Sequence, residues 1–287
     1  MSRNTDDRLG AAHTPEHTES PPVAAAPTET PGFNWAVPTE FVTLPTRGRF
    51  YPEGHPLHNQ EAVEIRYMTA KEEDILTSRA LLKEGVALDR LLENLLVNKQ
   101  IDVNSLFVGD KNALIVAARI TGYGAEYETS VACPSCGEST DYEFDLGSVA
   151  VTDTDGALET YSAVHTEANT FIVTLPLSKV QAECRMMTGA DENKIAKEMQ
   201  RKARKKMASS ALTDQIRAFL VSVNGSTDAI SIERFIAAMP ARDSRFLRTF
   251  YMEAMPNIDL SQTFECSSCG YSADMEVPLT ANFFWPK

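Results

Sequence analysis

Five cysteines carry the concentrated chemistry of this 287-residue chain, and four of them fall in two equally spaced pairs. The pairs are Cys133-Pro134-Ser135-Cys136-Gly137 and Cys266-Ser267-Ser268-Cys269-Gly270. Short alternating runs flank both. Tyr127, Thr129 and Val131 lead into the first pair, and Tyr142, Phe144 and Leu146 lead out of it. Phe264 precedes the second, and Met275, Val277 and Leu279 follow. Two thiols on a turn with glycine just past the second, between period-2 strands, is the pattern of a zinc knuckle. Two knuckles supply the four sulfurs of a tetrahedral site. The expected metal ligands are therefore Cys133, Cys136, Cys266 and Cys269. The expected cofactor is a structural Zn²⁺, since four protein thiolates leave no open position for catalysis. A redox C-x-x-C would open a helix, where the N-terminal dipole lowers a thiol pKa. Disulfides would need an oxidising compartment, and no secretory signal precedes the chain. Cys184 stands alone in an apolar stretch read as helical, and is expected to be a buried core thiol.

The elements around the cysteines make an α+β protein. Residues 1–35 are rich in Pro, Thr, Ala and Glu with few large apolar side chains, and are expected to be a disordered arm. Residues 36–124 read as a turn-and-strand segment followed by three helices. Within it, Pro45-Thr46-Arg47-Gly48-Arg49-Phe50-Tyr51-Pro52 is a turn in which Gly48 suits positive φ. Val63–Tyr67 alternates as a strand. Thr69 and Glu72 form a capping box for a helix ended by Gly85. Leu88, Leu91, Leu92, Leu95 and Leu96 make the core-facing stripe of a second helix. Asp110 is expected to cap a third, closed by Gly122 and Gly124.

Residues 125–148 are the first half of the zinc ribbon and 258–280 the second. Between Cys136 and Cys266 lie 129 residues, too many for a loop, so residues 149–257 are read as a mostly helical inserted domain. In it, Phe171–Leu175 reads as a strand, and Ser178 caps a short helix through Val180, Cys184 and Met187. Asp191 starts a long helix reaching Val223, Ser231 starts another stopped by Pro240, and Asp243–Met255 form the last. The aromatic tail, 281–287, holds Phe283, Phe284 and Trp285, which either pack back on the ribbon or fill a pocket on a partner. Together with Arg47 and Arg49 they are the candidate contact residues.

A net charge of −13 argues against a protein whose main task is holding nucleic acid. The basic run Arg201–Lys206 is the one stretch suited to phosphate, and neighbouring acids dilute it. No apolar run reaches the ~20 residues of a membrane span. There is no Gly-rich phosphate loop, no H-E-x-x-H and no nucleophile elbow, so neither an enzyme nor a small-molecule substrate is expected.

Several stretches together resemble the T4-type baseplate hub proteins of contractile-tailed phages. They are Leu44-Pro45-Thr46-Arg47-Gly48-Arg49-Phe50-Tyr51, Met68-Thr69-Ala70-Lys71-Glu72-Glu73-Asp74-Ile75-Leu76, Leu106-Phe107-Val108-Gly109-Asp110-Lys111-Asn112, Thr121-Gly122-Tyr123-Gly124, both C-x-x-C pairs and Phe283-Phe284-Trp285-Pro286. The resemblance implies a structural or assembly component of a tail baseplate, hub or wedge, in a phage or a phage-like contractile injection particle. Its partners would be other baseplate or tail proteins. Its place would be the virion tail, after assembly in the host cytoplasm. The competing expectation is a cytoplasmic zinc-ribbon regulator that binds nucleic acid.

Overall fold

The computed structural model describes residues 36–207, 210–277 and 281–284. Contacts divide the chain into Met1–Ala36 and Val37–Lys287, and every element below belongs to the second unit. The expected arm, residues 1–35, lies outside the described residues, as do Leu279 and Trp285.

The fold is mixed α+β around two apolar cores. Strands β1 (Thr39–Thr43) and β2 (Ala62–Arg66) pair antiparallel, with Thr39 opposite Arg66. Val42, Val63 and Ile65 turn into the first core. Thr69 caps helix α1 (Ala70–Thr77) through the expected box with Glu72. The Glu72 carboxylate is fully buried and also takes two bonds from Arg66, at 2.6 and 3.2 Å. The chain breaks at Ser78 and restarts as α2 (Arg79–Glu84), so one expected helix is two; Gly85 ends the second at φ 75°. Helix α3 (Ala87–Leu95) buries Leu91, Leu92 and Leu95, and Leu96 beyond it is buried too. Helix α4 (Val108–Tyr123) runs through the middle of this core.

Asp110 does not cap α4. The N-cap is Phe107, and Asp110 sits fully buried in the first turn. Its carboxylate accepts the Thr46 N–H (3.0 Å), the Thr46 hydroxyl (2.6 Å) and the Tyr51 hydroxyl (2.8 Å). The stronger demand came from three buried donors in the arginine turn, which would otherwise be unsatisfied. Gly48 in that turn has φ 70°, and a Cβ there would come within 2.4 Å of Leu57 O and Gln60 N. Both conformation and space therefore exclude a side chain. Gly48→Ala is expected to cost ~2–4 kcal/mol, read as a lower urea midpoint with an unchanged slope.

The β-hairpin β3 (Glu126–Ala132) and β4 (Ser139–Asp145) follows α4. Strand β5 (Ala150–Val151) then leads to helix α5 (Thr154–Tyr161) and to strands β6 (Val164–His165), β7 (Thr170–Thr174) and β8 (Gln181–Arg185). Here the segment expected to be a helix from Ser178 is a strand. Ala182 and Cys184 alternate inward against Phe171 and Val173 of β7, a period of two that the stretch shares with a short helix face. Cys184 is fully buried, as expected, and burial pushes its thiol up.

The long helix expected from Asp191 to Val223 is three elements: α6 (Gly189–Arg204), α7 (Ala211–Phe219) and β9 (Leu220–Val223). Thr188 caps α6, with Asp191 as its box partner, and Lys206 at φ 52° turns the chain away from it. β9 joins β6, β7 and β8 in a four-stranded sheet of order β6-β7-β8-β9. Helix α8 (Ala229–Ala238) starts at Asp228, whose carboxylate takes the Ser231 N–H. Helix α9 (Ala241–Ala254) completes the second core. Asp243 is buried in its first turn and accepts the N–H groups of Leu177 and Ser178, both at 2.8 Å.

Burial works to raise the Asp243 carboxyl, but the Ser178 and Leu177 donors outweigh it and hold it below its ordinary value. Asp191 behaves alike, with Arg185 and Thr188 outweighing burial. A folded pKa below the unfolded one gives stability that is full above the unfolded value, about 3.9, and is lost as pH falls below it. Asp110 has the opposite sign, because burial raises it. Melting temperature should therefore drop as pH is lowered from 5 to 3, and Asp243→Asn should flatten that drop.

The two cores meet at the start of α4. Phe107 packs against both, and the Val108 N–H donates to Met187 O. Lys111, nearly buried, bridges Asp89 of α3 (2.7 Å) and Glu192 of α6 (3.1 Å). A Cβ on Gly109 would lie 2.0 Å from Pro256 O. Strand β10 (Ile258–Asp259) pairs with β5, Ile258 opposite Val151, where the chain returns from the second core. The hairpin β11 (Ser261–Glu265) and β12 (Ser272–Glu276) follows.

Candidate metal centre

The two C-x-x-C pairs occupy the turns of the two hairpins, and their backbones repeat each other. In β3–β4 the Cys133 N–H donates to Glu138 O and the Gly137 N–H returns to Cys133 O, both at 2.9 Å. In β11–β12 the Cys266 N–H donates to Tyr271 O (2.8 Å) and the Gly270 N–H to Cys266 O (2.9 Å). Gly137 and Gly270 have φ of 75° and 68°, the left-handed conformation that lets each turn fold back tightly.

The result brings together all four predicted residues. The sulfurs of Cys133, Cys136, Cys266 and Cys269 lie within 4.8 Å of one another. Across the hairpins, Cys133 Sγ is 3.7 Å from Cys269 Sγ, and Cys136 Sγ is 3.8 Å from Cys266 Sγ. The first cysteine of each pair is buried and the second exposed, so the cluster sits half-sunk at the rim of the first core. All are free thiols. Backbone N–H groups, of Cys269 first and then Ser268, pull the Cys266 thiol down to about 6. At Cys136 the Glu138 N–H also lowers the pKa, but the surrounding sulfurs, Cys269 first, outweigh it and push the thiol up to about 12. Four crowded sulfurs cannot all ionise unless a cation shares the space. The arrangement can hold a metal ion.

The two hairpins are separate two-stranded sheets, joined by side chains. Gln262 spans the gap: its Oε1 accepts the Asp145 N–H (3.0 Å) and its Nε2 donates to Asp145 O (2.7 Å), standing in for a strand pair. The Tyr142 hydroxyl donates to Thr263 O (2.7 Å), and its ring meets Phe264 edge-on at 5.2 Å. Behind them Arg119 of α4, 1% exposed, donates to the carbonyls of Phe283 (2.8 Å), Gly124 (2.7 Å) and Glu126 (3.0 Å). Sequence reasoning missed Gln262 and Arg119. An arginine in an apolar helix was the one available signal.

The aromatic end belongs to the same core. Phe283 and Phe284 are each 1% exposed, with Phe283 against Tyr127 at 5.1 Å. They are therefore not contact residues for a partner, because the ribbon itself fills their surroundings. Arg47 and Arg49 are exposed.

One other grouping has the residue types of a catalytic pair. His55 Nε2 lies 2.8 Å from Ser105 Oγ. Its Nδ1 accepts the Leu57 N–H (3.1 Å), which leaves the ring proton on Nε2, facing the serine. The serine hydroxyl donates to Asp102 O (2.6 Å). The histidine cannot take the serine's proton, and the pair is structural.

No helix among the described residues is long and apolar enough to cross a membrane. Neither the curated proteins nor the solved structures gave a match. A family model described as "T4 bacteriophage base plate protein" matches residues 52–285, a span that starts at the last residue of the arginine turn and takes in both hairpins. That span covers most of the sequence, and the chain belongs to this baseplate family.

Proposed function

We propose that the protein is a structural part of a tail baseplate, hub or wedge, in a contractile-tailed phage or phage-like particle, and that a Zn²⁺ ion clasps its two hairpins. The family match over residues 52–285 is the observation that carries the role. The zinc reading draws support from spacing: four sulfurs at ~2.3 Å from a central Zn²⁺ would be about 3.8 Å apart at the corners of a tetrahedron. The cross-hairpin distances of 3.7 and 3.8 Å agree with that edge. Thiolate-only donor sets select soft ions over Mg²⁺ or Ca²⁺.

With four sulfurs around it, the ion would have no vacant position and acts as a fastener, and the family match supports a structural part rather than an enzyme. Cys133 and Cys266, buried, would anchor it to the core, while Cys136 and Cys269 close it from outside. The protein works through contacts with other tail proteins, in the virion tail, after assembly in the host cytoplasm. A mass-spectrometric inventory of purified particles is expected to contain this chain in stoichiometric amount with other baseplate proteins. Particles that are complete and infective without it would overturn the role.

A further inference from the structure

Helix α6 carries a one-sided cationic face on an acidic protein. Lys194, Lys197, Arg201 and Arg204 recur at i, i+3, i+7 and i+10, with Lys205 just beyond, and all are exposed. At 1.5 Å per residue the row is about 16 Å long. Arg201 is paired with Glu198. Lys194, Lys197, Arg204 and Lys205 have no ion pair among the described residues. The chain's net charge is −13, so this face opposes the sign of the molecule.

The row also lines a groove. A cleft of about 850 Å³ lies between α6 and α7, and a hollow of about 300 Å³ continues it along α6; Lys197 and Arg201 line both. The larger cleft has apolar patches at Ile195, Ala190 and Ala218. Its inner cations are already neutralised: Arg185 by Asp191 and Lys202 by Asp214, both at 2.6–2.7 Å. The unmatched charge is therefore the outer row, about one cation per helical turn.

We infer that the α6–α7 groove docks an acidic, amphipathic segment of a partner protein, its carboxylates set along the Lys194–Lys205 row and its apolar side chains on Ile195 and Ala218. A partner helix with acids at i, i+3 or i+4 and i+7 matches the row's spacing. Nucleic acid fits less well. A phosphate chain carries negative charge without interruption, and the same groove presents Asp191, Glu198 and Asp214 to it. A protein segment can place donors against those acids. The inference rests on the baseplate reading only for the partner being another tail protein.

Two arms test it. The free full-length chain is titrated with a 16-residue helical peptide bearing Glu at the matching spacing, and with a 20-nucleotide single strand, in physiological salt. The peptide is expected to bind, and Lys197→Glu with Arg204→Glu is expected to weaken it at least tenfold while leaving melting temperature and zinc content unchanged. No peptide binding, equal binding by the variant, or tighter binding of the oligonucleotide would overturn the inference. In purified particles, carbodiimide is expected to link Lys194, Lys197 or Lys205 to an acidic residue of another baseplate protein, with acylation of these amines at least tenfold slower than in the free chain. Equal acylation in particle and free chain would also overturn it. Absence of the chain from particles would strike the baseplate role instead, and the peptide arm would still decide the groove.

Discussion

Removing the metal is expected to open the ribbon and to lower the stability of the whole protein. Structural zinc contributes on the order of 10–16 kcal/mol to small zinc peptides. Apart from the sulfurs, the two hairpins are joined by side-chain contacts around Gln262, Tyr142 and Phe264. Incubating the reduced protein with a strong chelator should lower the melting temperature by more than ten degrees and release fast amide exchange in β3–β4 and β11–β12. The helices of the second core should lose less protection than the hairpins, because the cysteines belong to the first core. Cys266→Ser should mimic the chelator, whereas Cys184→Ser, on β8, should leave metal content unchanged.

The second large effect lies at the C-terminal aromatics. Phe283→Ala is expected to destabilise the protein by ~3–5 kcal/mol, the usual cost of truncating a buried phenylalanine. Its ring packs on Tyr127 and Phe284, and its carbonyl holds the buried Arg119 guanidinium. Chemical denaturation of the isolated variant reads this directly. A variant that unfolds at the wild-type denaturant concentration but fails only in tail assembly would return these aromatics to a docking role.

The four-cysteine cluster was legible in the sequence because its determinants are local. Each C-x-x-C, its glycine and its flanking alternation lie within about twenty residues, and only the pairing of the two hairpins is long-range. The Thr69–Glu72 box, the Gly48 and Gly85 turns, the leucine stripe of α3 and the strand at Phe171 were legible for the same reason. The errors fall where tertiary contacts override local signals. Asp110 looks like a helix cap and Asp243 like the start of a helix, but each is a buried acceptor for a distant turn. The run from Gln181 to Arg185 has an apolar spacing that fits either helix or strand, and its neighbours in the sheet decide for strand. The stretch from Asp191 to Val223 has no glycine or proline to mark the break after α6, and the residue that turns there, Lys206, gives no warning in its chemistry. The aromatic terminus could be read both ways until Arg119, far away in sequence, was seen to hold it.

In the function proposed above, four cysteines from two distant hairpins hold one zinc ion. The most direct measurement is elemental analysis combined with X-ray absorption at the zinc edge, on protein purified under reducing conditions without added metal. One zinc per chain with four sulfur neighbours at about 2.3 Å is the expected result. Protein that is folded but free of metal, or zinc bound by fewer than four sulfurs, would contradict it.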